Sequence, residues 1–157
     1  MTNMLIGVIS DTHGFFDERV PELFSGVDLI LHAGDVGGPQ ILESLSLVAP
    51  VVAVRGNVDV EDACASLPES IQVVAAGFTL FMTHILDLPE DGPATNLPDP
   101  APDVVIFGHS HQQCHETRDR VLYLNPASAG QQRFSNPRSV SLISAAQNTL
   151  EARIIDF

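Results

Sequence analysis

Lysine is absent from this chain of 157 residues, and all seven of its basic side chains are arginine. Set against 20 acidic residues, they leave a formal net charge of −13. A field of that sign repels nucleic-acid backbones and anionic membrane surfaces, which proteins usually meet with basic patches. It also repels phosphate esters unless something positive sits inside the site, as a bound divalent ion would. A saline habitat is another source of such acidity. Cys64 and Cys114 are too few and too isolated for a disulfide framework, so a reducing compartment, the cytoplasm, is expected. No apolar run approaches the ~18 residues of a membrane span. Met1 to Gly7 enters a strand with neither a basic segment nor a cleavage site, and no signal peptide is expected. P-loop and dinucleotide fingerprints are missing too, because Gly34, Gly37 and Gly38 lack the spacing. There is no internal repeat, low-complexity tract or coiled-coil heptad.

What is present is a globular composition, 45% apolar and 17% charged, at a length that predicts one domain, 1–157, with one real core. Its organising stretch is Asp103-Val-Val-Ile-Phe-Gly108-His109-Ser110-His111. Four apolar residues read as a short buried strand, and Gly108 lets the backbone turn or come close to another group. In a still-extended chain, residues i and i+2 point to one side, so His109 and His111 are expected to aim at one point past a strand's carboxyl end. Open α/β sheets bind ligands there, and imidazole is the commonest metal donor.

The same arrangement recurs along the chain. Leu5–Ile9 reads as a strand running into Asp11-Thr-His13-Gly14, one carboxylate and one imidazole suited to a borderline divalent metal. A short helix is expected near Val20–Phe24, then a strand at Val27–Leu31 leading to His32-Ala-Gly-Asp35. Asp35 is the candidate carboxylate shared between two metals, and His32 reads as a packed, hydrogen-bonded supporting residue. Gly37-Gly-Pro39 opens a helix with Ile41, Leu42, Leu45 and Val48 on its apolar face, and Pro50 stops it. The third strand, Pro50–Val54, exits through Arg55-Gly-Asn57-Val-Asp59, where the amide oxygen of Asn57 is a candidate neutral ligand. This is the βαβ rhythm of a parallel sheet with one functional edge.

Beyond it, Ile71–Val74 and Phe78–Met82 predict a hairpin whose second strand ends at Thr83-His84. Residues 86–102 hold five prolines and predict a loop placed to cover or border the site. Strands are expected at Gln113–Thr117 and Val121–Leu124, a turn at Asn125-Pro-Ala-Ser128, and a final hairpin from Val140–Ala145 and Leu150–Ile155. His115 lies four extended residues, ~13 Å, beyond His111 and reads as a non-ligand.

Asp11, His13, Asp35, Asn57, His84, His109 and His111 thus sit at strand exits: two carboxylates, one amide and four imidazoles. One ion rarely needs more than six donors, so seven with a shareable Asp35 suit two ions. Such a pair, about 3.5–4 Å apart, can clamp an in-line displacement at phosphorus, with a bridging hydroxide as nucleophile.

In this order, Asp-x-His, Gly-Asp, Gly-Asn-x-Asp, a strand-end His and Gly-His-x-His resemble the calcineurin-like metallophosphoesterases, and length, short spacers and Asn-Pro-Ala-Ser resemble their small bacterial and archaeal phosphodiesterase branch. The resemblance implies an α/β fold, a four-layer α/β/β/α sandwich of two mixed sheets flanked by helices. It implies Asp11, His13, Asp35 and His111 around one metal and Asp35, Asn57, His84 and His109 around the other. The ions would be divalent, Mn²⁺ first, with Fe, Ni, Zn or Mg as alternatives. Asp35, Asn57, His84 and His109 would carry catalysis.

Four positions depart from the family. Val58 replaces the histidine with which many larger relatives protonate the leaving group, which favours activated phosphodiesters over alkyl monoesters. Ile85 and Ala127 stand where glycine is usual, and residues 86–102 replace a helix. Arg55, Arg133 and Arg138 are candidate phosphate contacts. The expected partner is a small phosphoester, with a homodimer allowed and neither a nucleic-acid polymer nor a membrane. The alternatives are a phosphomonoesterase or nuclease of the same superfamily, or an interaction scaffold like the retromer's sorting subunit, which resembles this branch but has lost ligand side chains. The seven intact donors favour the enzyme.

Overall fold

The computed structural model describes residues 3–132 and 137–157. Two five-stranded sheets pack face to face. The first contains β1 (Met4–Ile9), β2 (Leu29–His32), β3 (Val51–Ala53), β9 (Ser139–Ala146) and β10 (Thr149–Asp156), in the spatial order β10-β9-β1-β2-β3. The second contains β4 (Ser70–Ala75), β5 (Phe78–Thr83), β6 (Val104–Ile106), β7 (Cys114–Arg118) and β8 (Val121–Asn125), ordered β4-β5-β6-β8-β7. Each sheet is mixed: β1, β2 and β3 run parallel, as do β5, β6 and β8, while antiparallel strands flank them.

Alternation along the strands explains the layers, because successive side chains point to opposite faces. Ile6, Val8, Leu31, Leu80, Met82, Val104, Ile106, Leu122, Leu124 and Ile143 meet between the sheets. The residues between them, Ile9, Ile30, Val140 and Leu142, face outward from the first sheet and are covered by α1 (Val20–Leu23), α2 (Pro39–Ser46) and a 3₁₀ turn at Ala63–Ser66 through Val20, Phe24, Ile41, Leu45 and Cys64. Leu42 and Val48 add partly buried contacts to the same cluster. The helix signals placed both helices, although α2 ends at Ser46, short of Pro50.

The second sheet is covered differently. Phe81, Val105, Val121 and Tyr123 face outward and are packed by Leu86, Leu88, Ala94 and Leu97 of the proline-rich segment. The Tyr123 hydroxyl also accepts the Ala94 N–H at 3.1 Å. So the segment, expected to cover or border the site, packs on the outer face of the second sheet. Its scattered apolar side chains find their partners on the outer face of the sheet, where they make the fourth layer without a helix. Among the described residues, no helix is long and apolar enough to cross a membrane.

Candidate metal centre

The carboxyl ends of β1, β2, β3, β5 and β6 open on one edge of the sandwich, and the loops leaving them carry all seven candidate donors. These loops extend the strand pairing past the strands: Asp11 N–H donates to Gly34 O at 3.0 Å, His13 N–H to Asp35 O at 3.0 Å and Gly14 N–H to Val36 O at 2.8 Å. The backbone is nonetheless far from extended. Asp11, His13, Asp35, His109 and His111 all adopt left-handed φ, between 47° and 73°. Asp and His visit this region more readily than most residues, and such conformations persist only where surrounding structure over-determines them.

This backbone overturns the expectation that His109 and His111 aim at one point. The strand ends at Ile106, the left-handed turns swing the two rings apart, and each joins a different cluster. His111 groups with Asp11 and His13, and His109 with Asp35 and His84. In the first cluster, Asp11 Oδ1 lies 3.1 Å from His111 Nε2 and 3.7 Å from His13 Nε2. In the second, Asp35 Oδ2 lies 3.1 Å from His84 Nε2 and 3.6 Å from His13 Nε2, so it faces both groups. Asn57 Oδ1 is 3.1 Å from both His84 Nε2 and His109 Nδ1. All seven are brought together.

The donor atoms fit a cation. Asp11 Oδ2 accepts hydrogen bonds from Ser10 Oγ at 2.6 Å and His109 N–H at 3.1 Å, but buried Oδ1 has no hydrogen-bond partner. Two imidazole nitrogens, Nε2 of His13 and His111, stand 3.3 Å apart beside it. A buried carboxylate oxygen without a donor is costly, and a divalent ion held by oxygen and imidazole donors removes that cost. Tautomers agree with this. His84 Nδ1 donates to Ala33 O at 2.7 Å, which leaves the Nε2 lone pair turned into the cluster.

Burial opposes ionisation of Asp11, yet contacts with His13 and Ser10 and the nearby His84 and His111 hold its carboxyl below the ordinary range. Asp35 behaves alike: burial is outweighed by His84 and the Val58 N–H. Burial lowers the pKa of His84, but Asp35 and Asp11 more than offset it and leave it raised.

The supporting groups are only partly visible in the sequence. His32, as expected, is buried and bonded. Its Nδ1 accepts the Gly34 N–H at 3.2 Å, so Nε2 carries the proton toward Thr12 Oγ1 at 2.9 Å. Nothing in the sequence marks a role for Asp59 beyond its place in Gly-Asn-x-Asp. Its carboxylate accepts from the N–H groups of Val36, Gly37 and Gly56, at 3.0, 3.0 and 2.9 Å, and ties the Asp35 loop to the Asn57 loop. Asn125 also emerges only from the fold, donating to Gly108 O at 3.1 Å and Ser110 Oγ at 3.2 Å. Ser128 Oγ donates to Asp11 O at 2.9 Å, which puts the expected turn beside the site. Gly108 makes the close approach read from the sequence: a Cβ there would lie 2.6 Å from Asp11 Oδ2.

The arginines fare unevenly. Arg138 is committed to buried Asp17 at 2.7 Å and lies 5.2 Å over the Phe157 ring. That corrects its candidacy as a phosphate contact. Arg55 pairs with Glu69 at 2.6 Å and lines a cleft beside Asn57 and His84. Arg133 lies outside the described residues. His115 is exposed on β7, in a separate cleft with Asp103 and Arg120, and joins neither cluster.

Two mixed sheets with such clusters at their strand exits fit a metallophosphoesterase. Residues 4–148 match the model of the calcineurin-like phosphoesterase superfamily domain, and the chain belongs to that family. It is 36% identical, over 97% of its length and 92% of the relative's, to a probable metallophosphoesterase of Methanothermobacter thermautotrophicus. It is 35% identical to phosphodiesterase YfcE of Escherichia coli, covering 85% of this chain and 84% of that one. Vacuolar protein sorting 29 from Cryptosporidium parvum shares the fold at a TM-score of 0.75, with 18% identity over 100% of this chain and 99% of its own.

Proposed function

We propose that the chain, as a single domain 1–157, is a phosphodiesterase with a dinuclear metal centre acting on small phosphoesters. Asp11, His13, Asp35 and His111 hold one divalent ion, and Asp35, Asn57, His84 and His109 hold the other, with Mn²⁺ the first candidate. When bound, the pair supplies Lewis acidity toward the phosphoryl oxygens and the hydroxide for in-line attack. The protein's part is to fix the donors. Asp35 Oδ2 faces both clusters because the Val58 N–H, at 3.0 Å, occupies Oδ1. His84 is held in one tautomer by Ala33 O. Asn57 presents its amide oxygen between two imidazoles, and His109 anchors its own backbone N–H on Asp11.

The observation that carries the reading is the orphaned Oδ1 of buried Asp11 amid converging imidazole nitrogens. Two features near the metal donors favour diesters with good leaving groups. Val58 offers no proton at the position next to Asn57, and the one carboxylate lining the cleft, Glu69, is paired with Arg55. The strongly acidic surface disfavours a nucleic-acid polymer.

The test is hydrolysis of bis-p-nitrophenyl phosphate by metal-stripped protein titrated with Mn²⁺, beside His84→Ala and Asp35→Asn. Metal-dependent turnover lost by at least a hundredfold in both variants is expected. Two ions bound per chain without turnover of any ester would favour the scaffold reading, and no metal binding would end the proposal.

A further inference from the structure

Beside Asn57 and His84 runs a cleft of about 500 Å³, lined by Arg55, Asn57, Val60, Glu69, Thr83, His84 and Ile85. Two of its walls are out of place on a solvent surface. Val60 is 71% and Ile85 56% exposed, and both border the same space. Scattered exposed apolar residues are ordinary. Two that face one cleft next to the reacting centre form a surface that an apolar ligand group would cover.

The charges in the cleft restrict that group further. Arg55 is the cation among the described lining residues, and it is already matched: its guanidinium donates to Glu69 Oε1 at 2.6 Å and to Ala65 O at 3.2 Å. Glu69 itself is exposed on the rim. An ester group carrying a further phosphate or carboxylate would meet that carboxylate with no free cation to answer it. Thr83 directs its hydroxyl to Glu69 O at 3.4 Å. What remains for contact is apolar surface flanked by a neutral ion pair.

We propose that this cleft is the subsite for the non-reacting or departing ester group, and that Val60 and Ile85 select an uncharged aryl group there. The inference rests on the proposed phosphoester reading of the two clusters and adds the chemistry of the substrate's organic part. Val60 and Ile85 act by contact alone and hold no metal.

The test uses Mn²⁺-loaded protein and measures, by calorimetry, binding of 1-naphthylphosphonate, 4-sulfophenylphosphonate and methylphosphonate. The aryl ligand should bind about tenfold or more tighter than the methyl ligand, and the sulfonated ring should lose most of that gain. Val60→Ser and Ile85→Ser, at exposed positions where folding is not at risk, should each reduce the naphthyl-to-methyl ratio about three- to fivefold. Equal affinities of naphthyl and methyl ligands, or a ratio untouched by both substitutions, would overturn the subsite while leaving the phosphate-binding centre standing. If methylphosphonate itself fails to bind, the underlying reading fails first and the subsite falls with it.

Discussion

At the residue scale, the chemistry depends on which protons each side chain keeps. Buried His32 is the clearest case, since burial pushes its pKa down from 6.5 to about 4. In the unfolded chain it takes a proton near pH 6.5, whereas in the folded protein it resists until about pH 4. The unfolded state therefore binds more protons within that window, and stability falls as the pH drops through it. The loss amounts to about 3 kcal/mol at ~1.4 kcal/mol per pKa unit. Urea unfolding at pH 7 and pH 4.5 should show it in the wild type and show a clearly shallower fall in His32→Gln. An equal fall in the two proteins would move the acid sensitivity elsewhere.

Val58 makes the complementary point, because its side chain is 44% exposed next to Asn57 and carries no proton. Val58→His should raise turnover of alkyl esters relative to p-nitrophenyl esters by about tenfold or more, within the range a positioned general acid supplies. The ratio of the two kcat values checks this, and an unchanged ratio would mean that no leaving group waits there.

At the scale of elements, the site is a set of loops sewn together rather than a set of side chains on strands. Asn125, at the end of β8, is fully buried, and its amide holds the loop that carries His109 and His111. It also accepts the Ala127 N–H at 2.9 Å, helping keep Ala127 at a left-handed φ of 63°, where a glycine would sit without strain. Asn125→Ala should cost about 2–4 kcal/mol through buried groups left unpaired. Mn²⁺ affinity should fall about 10–100-fold with it, as for other groups that orient ligands. Melting temperature and metal titration read the two effects separately. Unchanged affinity would show that the histidines hold their places without this amide.

At the scale of the whole molecule, the two outer faces are covered by unlike material, helices on the first sheet and the proline-rich segment on the second. That segment is therefore the covering layer of the second sheet. Tyr123→Phe removes the acceptor for the Ala94 N–H and should cost about 1–2 kcal/mol, a fall of several degrees in Tm, with kcat/KM unchanged. A changed kcat/KM would give the segment a part in catalysis after all.

The alternating and continuous apolar runs, with glycine or proline between them, already determined the strands, the hairpins and α2, since burial on one or two faces follows directly from side-chain period. The donor types and their place at strand exits were legible for the same reason: a strand's end is marked by where its apolar run stops. What the sequence could not carry was direction and partnership. Left-handed turns at Asp11, His13, Asp35, His109 and His111 decide which ring faces which carboxylate, and no local pattern specifies them. Asp59 and Asn125 gain their roles from backbone groups distant in the chain, and Arg138 loses its expected one to Asp17, which is 121 residues away. Only the pairing of strands within each sheet, in an order that differs from the order along the chain, brings those groups within hydrogen-bonding distance, and that order is a property of the fold.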